Sequence, residues 1–121
     1  MSKILIVEDR KMVRKAMSEM LKLNGYTDLR TAEAGGEALE IFQDQNPDLV
    51  LLDIILPDMN GLEIAKKMID IAPDVKIIAV TAIARDEIES ECLDAGCIKI
   101  VHKPFRMVEM IRSIGKILGS N

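Results

Sequence analysis

From end to end the chain alternates short aliphatic runs with segments of helical spacing, and few folds accommodate that rhythm. The aliphatic runs are Ile4 to Val7, Leu49 to Leu52, Val75 to Val80 and Ile98 to Val101. After the first, Val13, Ala16, Met17, Met20 and Leu21 recur at spacings of three and four until Asn24-Gly25 supplies a stop. Gly35 to Gln45 repeats the pattern with Ala38, Leu39 and Phe42, and ends before Pro47 because the residue preceding a proline is pushed out of the helical region. Leu62 to Ile71 is the third such segment, followed by Pro73; Arg85 to Ala95 is the fourth, with Ile88 and Cys92 inward and Gly96 as its cap; Met107 to Leu118 is the fifth. Thr27 to Ala32 is the only room left for one more strand.

Five strands alternating with five helices imply a parallel sheet covered by helices on both faces. Central parallel strands are continuously apolar, whereas edge strands can alternate. ILIV, LVLL and KIIAV are central in character, while Asp28-Leu29-Arg30-Thr31 and, more weakly, Ile98-Lys99-Ile100 alternate. The expected architecture is therefore an α/β flavodoxin-like (βα)5 doubly wound sandwich of strand order 2-1-3-4-5. In that order, ligands bind at the carboxyl ends of the strands where the first and third meet.

Composition narrows the function. A chain of 121 residues with 49% hydrophobic and 30% charged side chains suits one domain with its own core, so residues 1–121 are read as a single unit. The net charge of −4 and the scattered basic residues speak against direct nucleic-acid contact. No stretch has the length of a secretory leader core or a membrane span, which points to a cytoplasmic protein with no membrane contact. Cys92 and Cys97 lack a second pair to complete a metal site and are expected to be reduced thiols. His102 adjoins a lysine at the end of an edge strand, without the helical setting of a phosphodonor, and is expected to be an ordinary exposed histidine.

The residues that end the strands carry the chemistry. Asp53 interrupts an aliphatic run, and a buried carboxylate is costly unless it is paired. Glu8 and Asp9 follow the first strand, Thr81-Ala82 the fourth, and His102-Lys103-Pro104 the fifth. Taken alone, Glu8 and Asp9 could be acids favoured by a helix N-terminus. Asp53 ends a central strand and has no such explanation. Three carboxylates in one crevice raise one another's pKa unless a cation neutralises them, and a hard divalent ion with oxygen ligands, Mg²⁺, is the economical solution. A carboxylate beside Mg²⁺ can act as a nucleophile toward phosphorus, with Lys103 and the ion supplying positive charge and Thr81 and the Ala82 N–H donating to phosphoryl oxygens.

ILIVED at Ile4 to Asp9, DIILPDMNG at Asp53 to Gly61, Thr81-Ala82 and KPF at Lys103 to Phe105 closely resemble the receiver domain of two-component response regulators, a family that includes the stand-alone chemotaxis regulators. The resemblance covers the whole chain in order. It implies that Asp53 accepts phosphate from a histidine kinase or a histidine phosphotransfer protein. Mg²⁺ is implied on Glu8, Asp9, Asp53 and the main-chain carbonyl of Ile55. Lys103 is implied to pair with the phosphoryl group, Thr81 to move toward it on activation, and the Lys103-Pro104 peptide to be cis. A downstream protein partner is implied on the face of the fourth helix, fifth strand and fifth helix, furnished here by Arg85 to Glu91 and Phe105 to Arg112.

The chain departs from the family at three positions. Many receivers carry an aromatic residue three positions before the lysine, where this chain has Ile100. Signalling is then expected as a population shift of the last loops, driven by threonine displacement. Ile55 and Ile83 stand two residues after the acceptor and the threonine, where the resemblance places them beside the path of attacking water. They are expected to lengthen the life of the acyl phosphate. Among the methionines, Met17, Met20 and Met68 are expected in the core, with Met107 and Met110 as candidates for a partner surface. With the last helix ending near Leu118, no output domain is expected in this chain.

Two other readings follow the same residues: a degenerate receiver used only as an interaction module, and a phosphatase working through an aspartyl phosphate. Against the module, the acidic pair, acceptor, hydroxyl and lysine are all present. Against the phosphatase, Ile55 stands where a second aspartate would serve as general acid, and no cap insertion encloses a substrate. A P-loop and a G-x-G-x-x-G fingerprint are both missing from the sequence.

Overall fold

A computed structural model of the chain describes residues 2–119. The elements follow as β1 (Ile4–Val7), α1 (Lys11–Leu23), β2 (Leu29–Ala32), α2 (Gly35–Gln45), β3 (Leu49–Asp53), α3 (Gly61–Ile71), β4 (Lys76–Thr81), α4 (Ile88–Asp94), β5 (Lys99–His102) and α5 (Met107–Leu118). The strands form a five-stranded sheet of order β2-β1-β3-β4-β5 in which every pair is parallel. This is the flavodoxin-like order expected from the apolar character of the strands.

Strand side chains alternate between two apolar layers. Leu5, Val7, Val50, Leu52, Ile77 and Ala79 pack with Ala38, Phe42, Ile64, Ala65 and Met68 on the side of α2, α3 and α4. Ile4, Ile6, Leu49, Leu51, Ile78 and Val80 pack with Met17, Leu21, Met110 and Ile114 on the side of α1 and α5. Full burial of each large aliphatic side chain is worth roughly 1.5–3 kcal/mol over leaving it exposed. β1 and β3 are buried along their whole lengths, and no polar residue is tolerated in either until Asp53, the last residue of β3.

Two element ends differ from the sequence expectation in ways that bear on the site. β4 runs one residue further than Val80, so Thr81 is paired in the sheet, opposite His102. α4 begins at Ile88 and not at Arg85, because 85–87 form a turn closed by the Ile88 N–H on the Arg85 carbonyl. Met110 is buried in the core and offers nothing to a partner, and only Met107 of that pair is partly exposed. Register then aligns the strand ends: Val7 pairs with Leu52, and Asp53 with Val80. The β1–α1, β3–α3, β4–α4 and β5–α5 loops thus leave the sheet side by side.

Candidate functional site

Among the described residues, the only buried polar or charged ones are Glu8, Asp53 and Thr81, and all three lie at the carboxyl ends of β1, β3 and β4. Lys103, arriving from β5, joins the first two. Its ammonium donates to Glu8 Oε1 at 2.7 Å and to Asp53 Oδ2 at 3.0 Å. The opposite oxygens are held by main chain: the Arg10 N–H donates to Glu8 Oε2 at 2.9 Å, and the Ile55 N–H to Asp53 Oδ1 at 3.0 Å. Asp9, beside Glu8, is exposed, and one carboxylate oxygen from each of Glu8, Asp9 and Asp53 lies within 4.8 Å of the others.

Charge does not balance in this cluster. Three carboxylates face one ammonium, and burial, the largest influence, pushes the Glu8 carboxyl above its usual range, with Asp53 adding to the rise and the Lys103 hydrogen bond opposing it. For Lys103 burial works the other way, toward the neutral amine. Its hydrogen bonds to Glu8 and Asp53 outweigh burial and leave the ammonium more basic than usual. An oxygen-lined cluster with surplus negative charge fits a hard divalent cation.

The cluster opens into a cleft of about 530 Å³ whose lining includes Asp9, Val13, Asp53, Ile55, Ala82, Lys103 and Phe105. Thr81 is fully buried, and its hydroxyl oxygen accepts from the Ile83 N–H at 3.1 Å, so it is engaged with its own loop. The Lys103 N–H donates to the Thr81 carbonyl at 2.8 Å, which couples the two loops, and the Lys103–Pro104 bond is cis. Of the two isoleucines, Ile55 is 58% exposed and lines the cleft, whereas Ile83 is half-buried in an adjoining groove that Ile55 also borders. Ile100 packs against the core beneath β5. His102 lies apart, 3.4 Å from Glu89, with both side chains largely in solvent.

Two residues that sequence reasoning passed over hold the loops in place. The Arg14 guanidinium, from one turn into α1, donates to the Glu8 carbonyl at 2.9 Å and to the Asp9 carbonyl at 3.5 Å, and pairs with Glu33 at 2.8 Å. Asp58 accepts the N–H groups of Gly35 and Gly36 at the start of α2. Gly61 closes the loop at its base, where a Cβ would stand 2.5 Å from the Ile54 Cα and 2.8 Å from the Asp53 carbonyl oxygen. An arginine five residues after an acidic pair and an aspartate in a turn are ordinary in sequence. Their partners show only once the fold is formed.

Known proteins are similar to this chain in sequence and fold. Residues 4–115 match the family model described as the response regulator receiver domain. The chain is 30% identical over 115 residues to the chemotaxis protein CheY of Thermotoga maritima, spanning 95% of this chain and 96% of that protein. It is 35% identical over 118 residues to the polar-differentiation response regulator DivK of Brucella ovis, spanning 96% and 95%. The solved structure of a CheY-like response regulator receiver domain protein from Methanospirillum hungatei superposes with a TM-score of 0.93 at 31% identity, over 98% of this chain and 94% of that one.

Proposed function

The chain belongs to the response regulator receiver domain family, and we propose that it acts as a phosphorylation switch whose acceptor is Asp53. The observation that carries this is the Lys103 ammonium shared between Glu8 and Asp53, in a cluster whose three carboxylates still outnumber it. The donor is a phosphohistidine of a histidine kinase or phosphotransfer protein. An Asp53 carboxylate oxygen attacks phosphorus, a P–O bond forms as the P–N bond to imidazole breaks, and the leaving nitrogen takes up a proton. Transfer of this kind is limited by positioning and charge. The Ile55 N–H and Lys103 fix the two oxygens of Asp53 before the donor arrives.

Glu8, Asp9, Asp53 and the Ile55 carbonyl would hold Mg²⁺, which would neutralise charge on the transferring group. Lys103 passes from Asp53 to a phosphoryl oxygen. Thr81 and the Ala82 N–H donate to the others, the Thr81 hydroxyl turning away from the Ile83 N–H it now accepts from. Because the Thr81 carbonyl also holds the Lys103 N–H, that turn couples β4 to the β5–α5 loop without an aromatic residue at Ile100. The protein partner reads the change on α4, β5 and α5. The Ile55 side chain screens the acyl phosphate from water, with Ile83 behind it.

The test is incubation with Mg²⁺ and acetyl phosphate, followed by intact-mass measurement. A phosphate-sized gain in wild type that is absent in Asp53→Asn supports the assignment. No gain in wild type with any donor makes this an interaction module.

A further inference from the structure

Asp58 stands outside the crevice, yet it joins the loop that carries Ile55 to the first turn of α2. The N-cap of α2 is Ala34, whose side chain has no oxygen to offer the first N–H groups of the helix. Asp58 takes that place from 23 residues downstream: its Oδ1 accepts the Gly35 N–H at 2.7 Å and its Oδ2 the Gly36 N–H at 3.0 Å. These two bonds hold its carboxyl below the usual range although the side chain is exposed. The fit continues beside the carboxylate. A Cβ at Gly35 would stand 2.5 Å from Ile64 Cδ1 and 3.1 Å from both Met59 Cβ and Met59 Sδ, so α2 presses its first turn directly against the loop.

The loop over 54–60 is thereby pinned at both base and tip. At the base, the Ile54 N–H donates to the Val80 carbonyl at 3.2 Å, the Gly61 N–H to the Ile54 carbonyl at 2.8 Å, and Ile55 bridges Asn60. Asp58 pins the tip. Ile55 stands at the edge of that base, its N–H on Asp53 Oδ1, and Asp58 follows it by three residues in the same loop.

We propose that Asp58 is a positioning residue for the metal: by clamping the loop tip to the first turn of α2, it holds the Ile55 carbonyl where Mg²⁺ requires a ligand. The proposal rests on the reading in which Ile55 supplies a main-chain ligand. Mg²⁺ demands near-octahedral geometry at short distances, while Ca²⁺ accepts longer and more variable ones. Loosening the loop therefore penalises Mg²⁺ more than Ca²⁺. A residue that served only as the missing cap of α2 would alter stability and leave ion preference untouched.

The experiment measures Mg²⁺ and Ca²⁺ affinity by backbone-amide NMR titration, and the urea unfolding midpoint, for wild type, Asp58→Asn, Asp58→Ala and Asp58→Ala combined with Ala34→Ser. Serine at the N-cap restores a local acceptor for α2 without reaching the loop. Asp58→Ala is expected to weaken Mg²⁺ binding about tenfold, in the range of other groups that orient a ligand. The loss for Ca²⁺ is expected to be smaller, and Asp58→Asn, which keeps one acceptor oxygen, should fall between. In the double variant the unfolding midpoint recovers while Mg²⁺ affinity stays low. Equal Mg²⁺ affinity in wild type and Asp58→Ala, or affinity that recovers together with stability in the double variant, overturns the proposal. Absence of Mg²⁺ binding in wild type overturns the metal-site reading, and this inference with it.

Discussion

At the amino ends of the strands the chain closes largely through its own main chain. The Ile4 N–H bonds the Asp28 carbonyl, Asp48 and Leu49 both donate to the Lys3 carbonyl, Lys76 donates to Asp48, and Ile98 to Ile77. At the carboxyl ends, Glu8, Asp53, Lys103, Arg14 and Asp58 tie one loop to the next with charged side chains. Main-chain closure is indifferent to side-chain identity and leaves no net charge in the interior. Side-chain closure buries the Glu8 and Asp53 carboxylates, each stable there only while its partners remain. One end holds the sheet together; the other accepts electrostatic cost so that three carboxylates and an ammonium meet.

Lysine replacements at the two ends should show the widest gap. Lys103→Met removes the cation shared by two buried carboxylates and is expected to cost about 2–3 kcal/mol in urea unfolding without metal, below the full range for breaking a buried pair because Lys103 keeps some solvent contact. Saturating Mg²⁺ should recover part of the loss. Replacing Lys3 with Met, where the ammonium bonds the Gln45 carbonyl among the described residues, is expected to cost no more than about 0.5 kcal/mol. Equal losses would mean that the crevice is no more strained than the opposite end.

Arg14→Ala should have the next largest effect. Loss of its bonds to the Glu8 and Asp9 carbonyls is expected to cost about 1 kcal/mol of stability. Mg²⁺ affinity, measured by titration, should fall about tenfold as the loop that presents both acids loosens.

The pH dependence of stability tests the charge imbalance itself. Glu8 has a raised carboxyl, chiefly through burial, so above the ordinary value of 4.5 the folded metal-free protein retains a proton that the unfolded chain has released. Its contribution makes stability fall as pH rises through the interval between 4.5 and the folded value. Glu8→Gln should remove that component from the urea midpoints. Lys103 acts with the same sign in a more alkaline window: its folded value is raised too, so its stabilisation is complete below 10.5 and is lost as pH climbs through its higher folded value.

Replacement of the isoleucines should have the smallest effect. Ile55→Asn should shorten the life of the phosphorylated form about three- to tenfold, equivalent to about 1 kcal/mol in barrier, measured by loss of the phosphate mass with time. Ile83→Glu should act less, since its side chain lies in the adjoining groove. Unchanged decay in both would remove the shielding role.

Much of this molecule was legible in its sequence. ILIV, LVLL and KIIAV announced central strands because parallel strands are buried on both faces, and the alternation of Asp28 to Thr31 announced an edge. Asp53 stood out because a carboxylate in an aliphatic run demands a partner. Spacing places the start of α4 at roughly Arg85, yet the helix begins at Ile88, since Ile88 and Cys92 supply the period while 85–87 bend into a turn that spacing alone does not exclude. Met110, a candidate for a partner surface by sequence, lies in the core.

Periodicity records which way a side chain faces along its own element, and so the order of strands and the set of polar side chains at their carboxyl ends were determined by sequence alone. Which atoms of those groups meet was decided by tertiary structure. Lys103 and Glu8 are 95 residues apart and Asp58 and Gly35 are 23 apart, and only strand register and loop path bring them within hydrogen-bond reach. Local spacing carries no trace of such contacts, because they depend on where whole elements end.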